Sequence, residues 1–358
     1  MTLESPLAAG LARAHVTMGT WFGCSLPTRF SDSNQEYGYA RDGVVLVDKN
    51  YRVFLEFTGP DRVRYLNAVL TNNVRDLKDG DGNISLLLNA QGHILAEVET
   101  YALADRLLLV SYAMIRERLV STLEKYIIMD DVTLEDVSDR NAVVSLEGPR
   151  STEVVAMLGG PALESLAELG HTEINIAEIP CRMVRRSPNG VAGCEFIVDR
   201  SRAAELWKVL EGAVRVHDGG PVGYEALNVL RLEAGVPWFG YDFSEKQIPH
   251  EAGLEKTHIS YTKGCYTGQE IVERVRSRGH VNRRLVGLKF SSDEPPPADT
   301  PLRVGDTEVG RVTRAAYSPA WRCAIAMGYV RRENNSVGSE LQWAGGTAQV
   351  TEFHSRGK

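Results

Sequence analysis

The octapeptide Lys263-Gly264-Cys265-Tyr266-Thr267-Gly268-Gln269-Glu270 sets a thiol between two glycines, beside a lysine and just ahead of a helix predicted to start near Gln269. Cationic neighbours and a helix N-terminus both favour a thiolate over a thiol. Arg274, Arg276 and Arg278 add positive charge along that helix. Gly264 and Gly268 permit a tight turn and the close approach of a ligand to the backbone. This pattern reads Cys265 as a reactive thiol, with Lys263, Gly264, Gly268 and Gln269 beside its ligand. A lone cysteine without these neighbours would read as a small buried hydrophobe.

Other reactive constellations are weaker. His250 and His258 stand near Glu251 and Glu255, but Gly253 interrupts the stretch and a third ligand is missing, so no metal site is expected. There is no G-x-S-x-G nucleophile elbow, no HExxH and no CxxC. The five cysteines, Cys24, Cys181, Cys194, Cys265 and Cys323, are scattered and odd in number. They fit a reducing compartment such as the cytoplasm better than a disulfide framework, and they do not gather as iron–sulfur ligands do. The net charge of −7 argues against a general nucleic-acid binder, although the basic run from Arg274 to Arg284 could meet an acidic tail or partner. Leu7 to Leu11 is too short for a signal peptide, and no apolar run is long enough to span a membrane.

The elements that must position these residues show a repeat. Val44–Val47 and Val53–Phe57 read as strands, Gly59-Pro60 breaks the pattern, and a helix is predicted over Asp61–Leu70. Later, Val143–Leu146, Gly148-Pro149 and a helix over Ser151–Leu158 repeat the same sentence 89 residues on. Leu107–Val110 leading into a helix over Met114–Tyr126 is matched by Glu195–Val198 leading into one over Ser201–Leu210. Two related α+β lobes follow, over about 41–135 and 136–240. A helix ending at Gly235 comes next. The Pro-rich stretch Ser291–Pro301 reads as a stiff linker or extended loop, and short punctuated strands beyond it, ending with Thr347–Phe353, read as a small β-barrel. The domain reading is an irregular aromatic arm over 1–40, a two-lobed region over 41–280 and a barrel over 281–358.

Several segments in this order resemble the glycine-cleavage T-protein (aminomethyltransferase) superfamily: Asn89–Leu95, Leu230-Arg231-Leu232-Glu233-Ala234-Gly235, Pro249–Leu254, Gly305–Thr313 and Pro319–Val330. The octapeptide at 263–270 is similar to the signature of its YgfZ-type folate-binding branch. The resemblance implies a T-protein-like α+β fold, with two duplicated lobes around a tetrahydrofolate site and a C-terminal β-barrel. A folate needs a buried carboxylate for its pterin edge and an arginine or backbone amides for its glutamate tail. By resemblance Glu195 is the pterin carboxylate and Arg231 lies near the folate. On residues alone, Glu195 could be a solvent-facing glutamate and Arg231 a structural partner of Glu225 or Glu233. The T-protein has two aspartates where this chain has Ala96 and Glu97. One carboxylate is absent and the other, the candidate acid/base, is a methylene longer; a displacement of about 1 Å can lower a rate on the order of 10²-fold.

The main functional reading is a YgfZ-type tetrahydrofolate-binding protein that supports iron–sulfur cluster assembly or repair in client enzymes through Cys265. The alternative is a folate-dependent aminomethyltransferase of the glycine cleavage system, or a related demethylating enzyme, in which Glu97 is essential and Cys265 replaceable. A folate-binding adaptor, with Cys265 merely holding its loop, is the third.

Overall fold

The computed structural model describes residues 3–11, 16–187, 189 and 191–352. The chain divides into two compact units, one of residues 1–87, 96–227 and 260–266, the other of 88–95, 228–259 and 267–358.

The first unit holds two α+β lobes. In the first lobe the strand Arg52–Thr58 runs into Gly59-Pro60 and the helix Arg62–Val69, and the strands Gly82–Leu88, Ile94–Ala102 and Leu107–Tyr112 follow. In the second, Asn141–Glu147 runs into Gly148-Pro149 and the helix Ser151–Met157, then the strands His171–Ile176, Ile179–Arg185 and Gly193–Asp199. Each sheet sets these four strands in the same spatial order, second, third, fourth, first. Both breaks demand glycine. Gly59 and Gly148 have φ of 93° and 127°, and a Cβ would fall 2.3 Å from the Asp131 carbonyl oxygen in one case and 2.5 Å from that of Gly43 in the other. Each proline precedes its helix's N-cap residue rather than sitting in the first turn.

The lobes trade a strand. Val45–Asp48, which reads in sequence as the opening strand of the first lobe, pairs antiparallel with Asn141–Glu147 of the second. An apolar run on a strand fixes burial but not which sheet it joins. The helix Ala203–Val216 outlasts its predicted end at Leu210 because Ala213 and Val214 extend the buried stripe of Leu206, Trp207 and Leu210 past Gly212.

Residues 17–42 are not an irregular arm. Thr17–Trp21 and Cys24–Arg29 form an antiparallel hairpin, turned at Phe22 and Gly23 with φ of 51° and 78°, and the helix Ser33–Asp42 follows. The described residues do not include 1–2 or 12–15. Glu36 is fully buried and fastens this region: one carboxylate oxygen accepts from the Phe30 and Ser31 amides at 2.6 Å, the other from Gly223 N at 2.7 Å.

The two sheets share a packed layer. Phe54, Leu108 and Val110 of the first meet Val143, Val184 and Ile197 of the second. Side chains alternate along a strand, so Arg52, Tyr112, Ser145 and Glu195 continue this same layer two residues from its apolar part.

In the second unit six strands close a barrel, in the order Arg283–Phe290, Cys323–Arg331, Thr307–Ser318, Pro301–Val304, Glu340–Trp343, Gly346–Thr351. Leu288, Phe290, Leu302, Val312, Val330 and Leu341 fill it. The Pro-rich stretch is a loop between two strands of the barrel. The predicted strand end at Phe353 lies outside the described residues. No helix among the described residues is long and apolar enough to cross a membrane.

Gly223→Ala tests the fastening of the hairpin. The added methyl would lie 2.1 Å from the Thr28 carbonyl oxygen, so urea unfolding should show a loss of about 3 kcal/mol. An unchanged midpoint would show that the hairpin yields freely.

Candidate functional site

The end of the inter-sheet layer that carries charge forms a connected set of side chains in the first unit. On the strand Ile94–Ala102, period-two alternation points Glu97, Glu99 and Tyr101 to one face. Arg52, on the first lobe's leading strand, donates from Nη2 to Glu99 Oε1 at 2.8 Å and lies 3.4 Å from Glu195 Oε1 on the second lobe's sheet. Glu99 also receives Arg186 Nε at 3.0 Å and the Tyr101 hydroxyl at 2.6 Å. Burial raises the Glu99 carboxyl, but Arg52, Arg186 and the Tyr101 hydroxyl outweigh it and hold it down to about 2. Beside this set Lys49 Nζ meets Glu147 Oε1 at 2.7 Å, and the Asn189 amide donates to the other Glu147 oxygen.

Glu97 joins the same set through aromatic rings. The Tyr112 hydroxyl donates to Glu97 Oε2 at 2.7 Å, and the Arg52 guanidinium lies 5.7 Å from the Tyr112 ring centroid and 5.6 Å from that of Tyr51. Phe22, from the tip of the N-terminal hairpin, stacks on Tyr51 at 4.3 Å, and Tyr224 closes the group edge-on. Burial, with Glu97 second, raises the Tyr112 hydroxyl well above its ordinary value, so it stays a proton donor to the carboxylate. Glu97 is 8 % exposed and Glu195 2 %, which removes the solvent-facing alternative for Glu195.

Such a set offers carboxylates to N–H groups and π-faces to a flat ring. A pterin, rich in N–H donors and planar, suits that chemistry.

The remaining predicted site residues are placed differently. Lys263 does not face a thiol. Its ammonium donates to the Asn67, Leu70 and Asn72 carbonyls at 2.5, 2.5 and 3.1 Å, capping the C-terminal end of the helix Arg62–Val69. Burial, with Arg75 second, lowers its pKa to about 8. The sequence pairs Lys263 with Cys265, but it is three carbonyls that hold the ammonium. Cys265 itself is exposed. Gly264 has open space where a Cβ would go, so nothing there requires glycine. Gly268 does require it: φ is 82°, and a Cβ would lie 2.6 Å from the Asn89 carbonyl oxygen. Gln269 is the first residue of the helix Gln269–Arg278.

Arg231, in the second unit, has 0 % exposure. Nη1 donates to Asp242 Oδ2 at 2.6 Å, Nε and Nη2 donate to Asn228 Oδ1 at 3.0 and 2.9 Å, and the Trp238 ring covers its face at 4.9 Å. Neither Glu225 nor Glu233 is the partner seen; the carboxylate comes from eleven residues downstream. All three of its nitrogens donate to Asp242 and Asn228. His258 Nδ1 meets the Thr257 hydroxyl at 2.7 Å, and Glu255 receives Arg284 at 2.7 Å.

Arg52, Glu99, Tyr112, Lys49 and Arg186 were not singled out from sequence. One signal was available: charged residues at alternate positions of otherwise apolar strands, as in Glu97, Glu99 and Tyr101.

The ionic set makes a pH prediction. Glu99 stays ionised in the folded state to about pH 2, while the unfolded chain takes up the proton near 4.5. Its stabilising contribution is full above pH 4.5 and drains as the pH falls toward 2. Glu99→Gln should lose about 3–5 kcal/mol at pH 7 and flatten the fall of stability across that window. A variant with the wild-type stability and slope would contradict the pairing.

The GCVT N-terminal domain model matches residues 7–261, and the glycine cleavage T-protein C-terminal barrel domain matches 283–351. The chain is 28 % identical to an aminomethyltransferase of Streptomyces avermitilis, over 95 % of this chain and 93 % of that protein. It is 27 % identical to one of Synechocystis sp., over 95 % and 91 %. The glycine cleavage system aminomethyltransferase T of Bartonella henselae shares its fold, with a TM-score of 0.90 at 24 % identity over 99 % of this chain and 98 % of that one. These relatives overturn the iron–sulfur assembly role expected from the octapeptide, since they are named as aminomethyltransferases. With both domain models matched in order across nearly its whole length, the chain belongs to the GCVT family of the T-protein superfamily.

Proposed function

We propose that this chain is a folate-dependent aminomethyltransferase, the alternative reading of its sequence. The family uses tetrahydrofolate as its one-carbon acceptor. The observation that carries the proposal is Glu97, a nearly buried carboxylate with its proton partner Tyr112 in place, joined through Arg52 to Glu195.

Tetrahydrofolate supplies the nucleophilic nitrogen that accepts the one-carbon unit. Glu195 and Glu99 accept N–H groups, and Arg52, paired with both, and Arg186, paired with Glu99, hold them inside a dry layer. Phe22, Tyr51 and Tyr112 form the aromatic wall for a flat ring. Glu97 holds and returns the proton at the reacting nitrogen, and Tyr112 fixes its carboxylate so that the extra methylene, relative to aspartate, does not leave it loose. Cys265 takes no part.

A second reading is favoured by the octapeptide 263–270 and by Ala96: a YgfZ-type member that binds folate without transfer. An assay with tetrahydrofolate and the aminomethyl donor of the glycine cleavage system separates the two. Transfer predicts formation of methylenetetrahydrofolate and ammonia, lowered on the order of 10²-fold or more by Glu97→Gln and unchanged by Cys265→Ala. Folate binding with no product, or full activity of Glu97→Gln, would sink the proposal.

A further inference from the structure

Asn189 sits in the connection between the strands Ile179–Arg185 and Gly193–Asp199 and is 2 % exposed. Its side-chain amide donates from Nδ2 to Glu147 Oε2. The other Glu147 oxygen accepts from Lys49 Nζ at 2.7 Å and from the Ser145 hydroxyl at 2.8 Å. Burial raises the Glu147 carboxyl, but Lys49 outweighs it and holds it below its ordinary value. An ionised carboxylate can only accept, so the amide has one orientation: its NH2 end meets Glu147, and its carbonyl oxygen is left over. That oxygen, Oδ1, is buried and has no hydrogen-bond partner among the described residues. A buried acceptor in that state is costly, and a ligand N–H would satisfy it.

Asn189 is wired to the ionic layer on two sides. Ser145 stands directly opposite Glu195 in the pairing of Asn141–Glu147 with Gly193–Asp199, and Glu147 is two residues along on the same face. The connection that holds Asn189 also carries Arg186, whose Nε donates to Glu99 at 3.0 Å.

The same layer has an unspent donor. Arg52 Nε is buried and has no partner among the described residues, although Nη2 of the same guanidinium meets Glu99 and Glu195. A simple anion would satisfy the arginine and leave Asn189 as it is. An ammonium would do the reverse. A ring that carries N–H groups and acceptor atoms side by side satisfies both, and the aminopyrimidine part of a pterin is such a ring.

Donor counting then gives Asn189 a role. A carboxylate that meets the pterin edge takes two parallel N–H groups, one from the ring nitrogen and one from the amino group beside it. The second hydrogen of that amino group remains, and inside a dry layer it needs an acceptor of its own. Resting on the folate reading of the first unit, we propose that Asn189 determines specificity there: its side-chain carbonyl accepts the second hydrogen of the pterin amino group, while Glu195 takes the first.

The test titrates tetrahydrofolate and its desamino analogue, which lacks that amino group, against full-length wild type, Asn189→Ala and Glu195→Gln. Each protein is held below its own unfolding transition. Asn189→Ala should weaken tetrahydrofolate about five- to ten-fold and leave the analogue within about two-fold of wild type. A merely structural role, exerted through Glu147, would weaken both ligands alike. That result overturns the inference, and so does an unchanged affinity for tetrahydrofolate. A second measurement needs no variant. With tetrahydrofolate isotope-labelled at the amino nitrogen and bound to wild type, NMR should show both amino protons as separate, downfield signals protected from solvent. One averaged signal, or one proton in free exchange, overturns the inference as well. Failure of the folate reading itself looks different: wild type binds no tetrahydrofolate, or Glu195→Gln binds it as tightly as wild type, and either result overturns both.

Discussion

Arg52 is a guanidinium enclosed between two sheets, and such a charge must be paired where it stands. Its partners come from both lobes, Glu99 from the first sheet and Glu195 from the second. A slip of one residue in any of these strands would turn the charge to the opposite face and leave its partner buried alone. The ion set therefore fixes the register of both sheets at once. Everything proposed for the chemistry sits on that register: Glu97 is two residues from Glu99 on the same strand face, and Tyr112 stands opposite Arg52 on the neighbouring strand.

The rest of the first unit supports this layer. Phe54, Leu108, Val143 and Ile197 seal one side of it with apolar packing. The N-terminal hairpin brings Phe22 onto Tyr51 and is anchored through Glu36 to Gly223, one residue before Tyr224. Arg231 is handled differently. In the second unit it is enclosed by Asp242, Asn228 and Trp238, and so ties the helix Tyr224–Ala234 to the loop that follows it.

Much of the architecture was legible in the sequence because it rests on local signals. Gly59-Pro60 and Gly148-Pro149 mark the repeat, since each glycine meets a neighbouring backbone that no Cβ could tolerate. The barrel's short punctuated strands were readable for the same reason. The site was only half legible. Glu97 and Glu195 stood out by resemblance, but the residues that link them did not, because Arg52 meets Glu99 47 positions away and Glu195 143 positions away. Lys263 misled in the same manner. Its sequence neighbour is Cys265, yet its ammonium binds carbonyls more than 190 residues earlier. Charge proximity along a chain says little about which group a long side chain reaches.

On the function we propose, the ionic, aromatic layer between the two sheets receives the pterin of tetrahydrofolate. The most direct measurement is an equilibrium titration of tetrahydrofolate against wild type and Glu195→Gln, at a temperature where both are shown to be folded. Saturable binding by wild type is expected, weakened about ten-fold or more in the variant by loss of a charge-assisted hydrogen bond. Equal affinity in the two folded proteins would contradict it and place the pterin elsewhere.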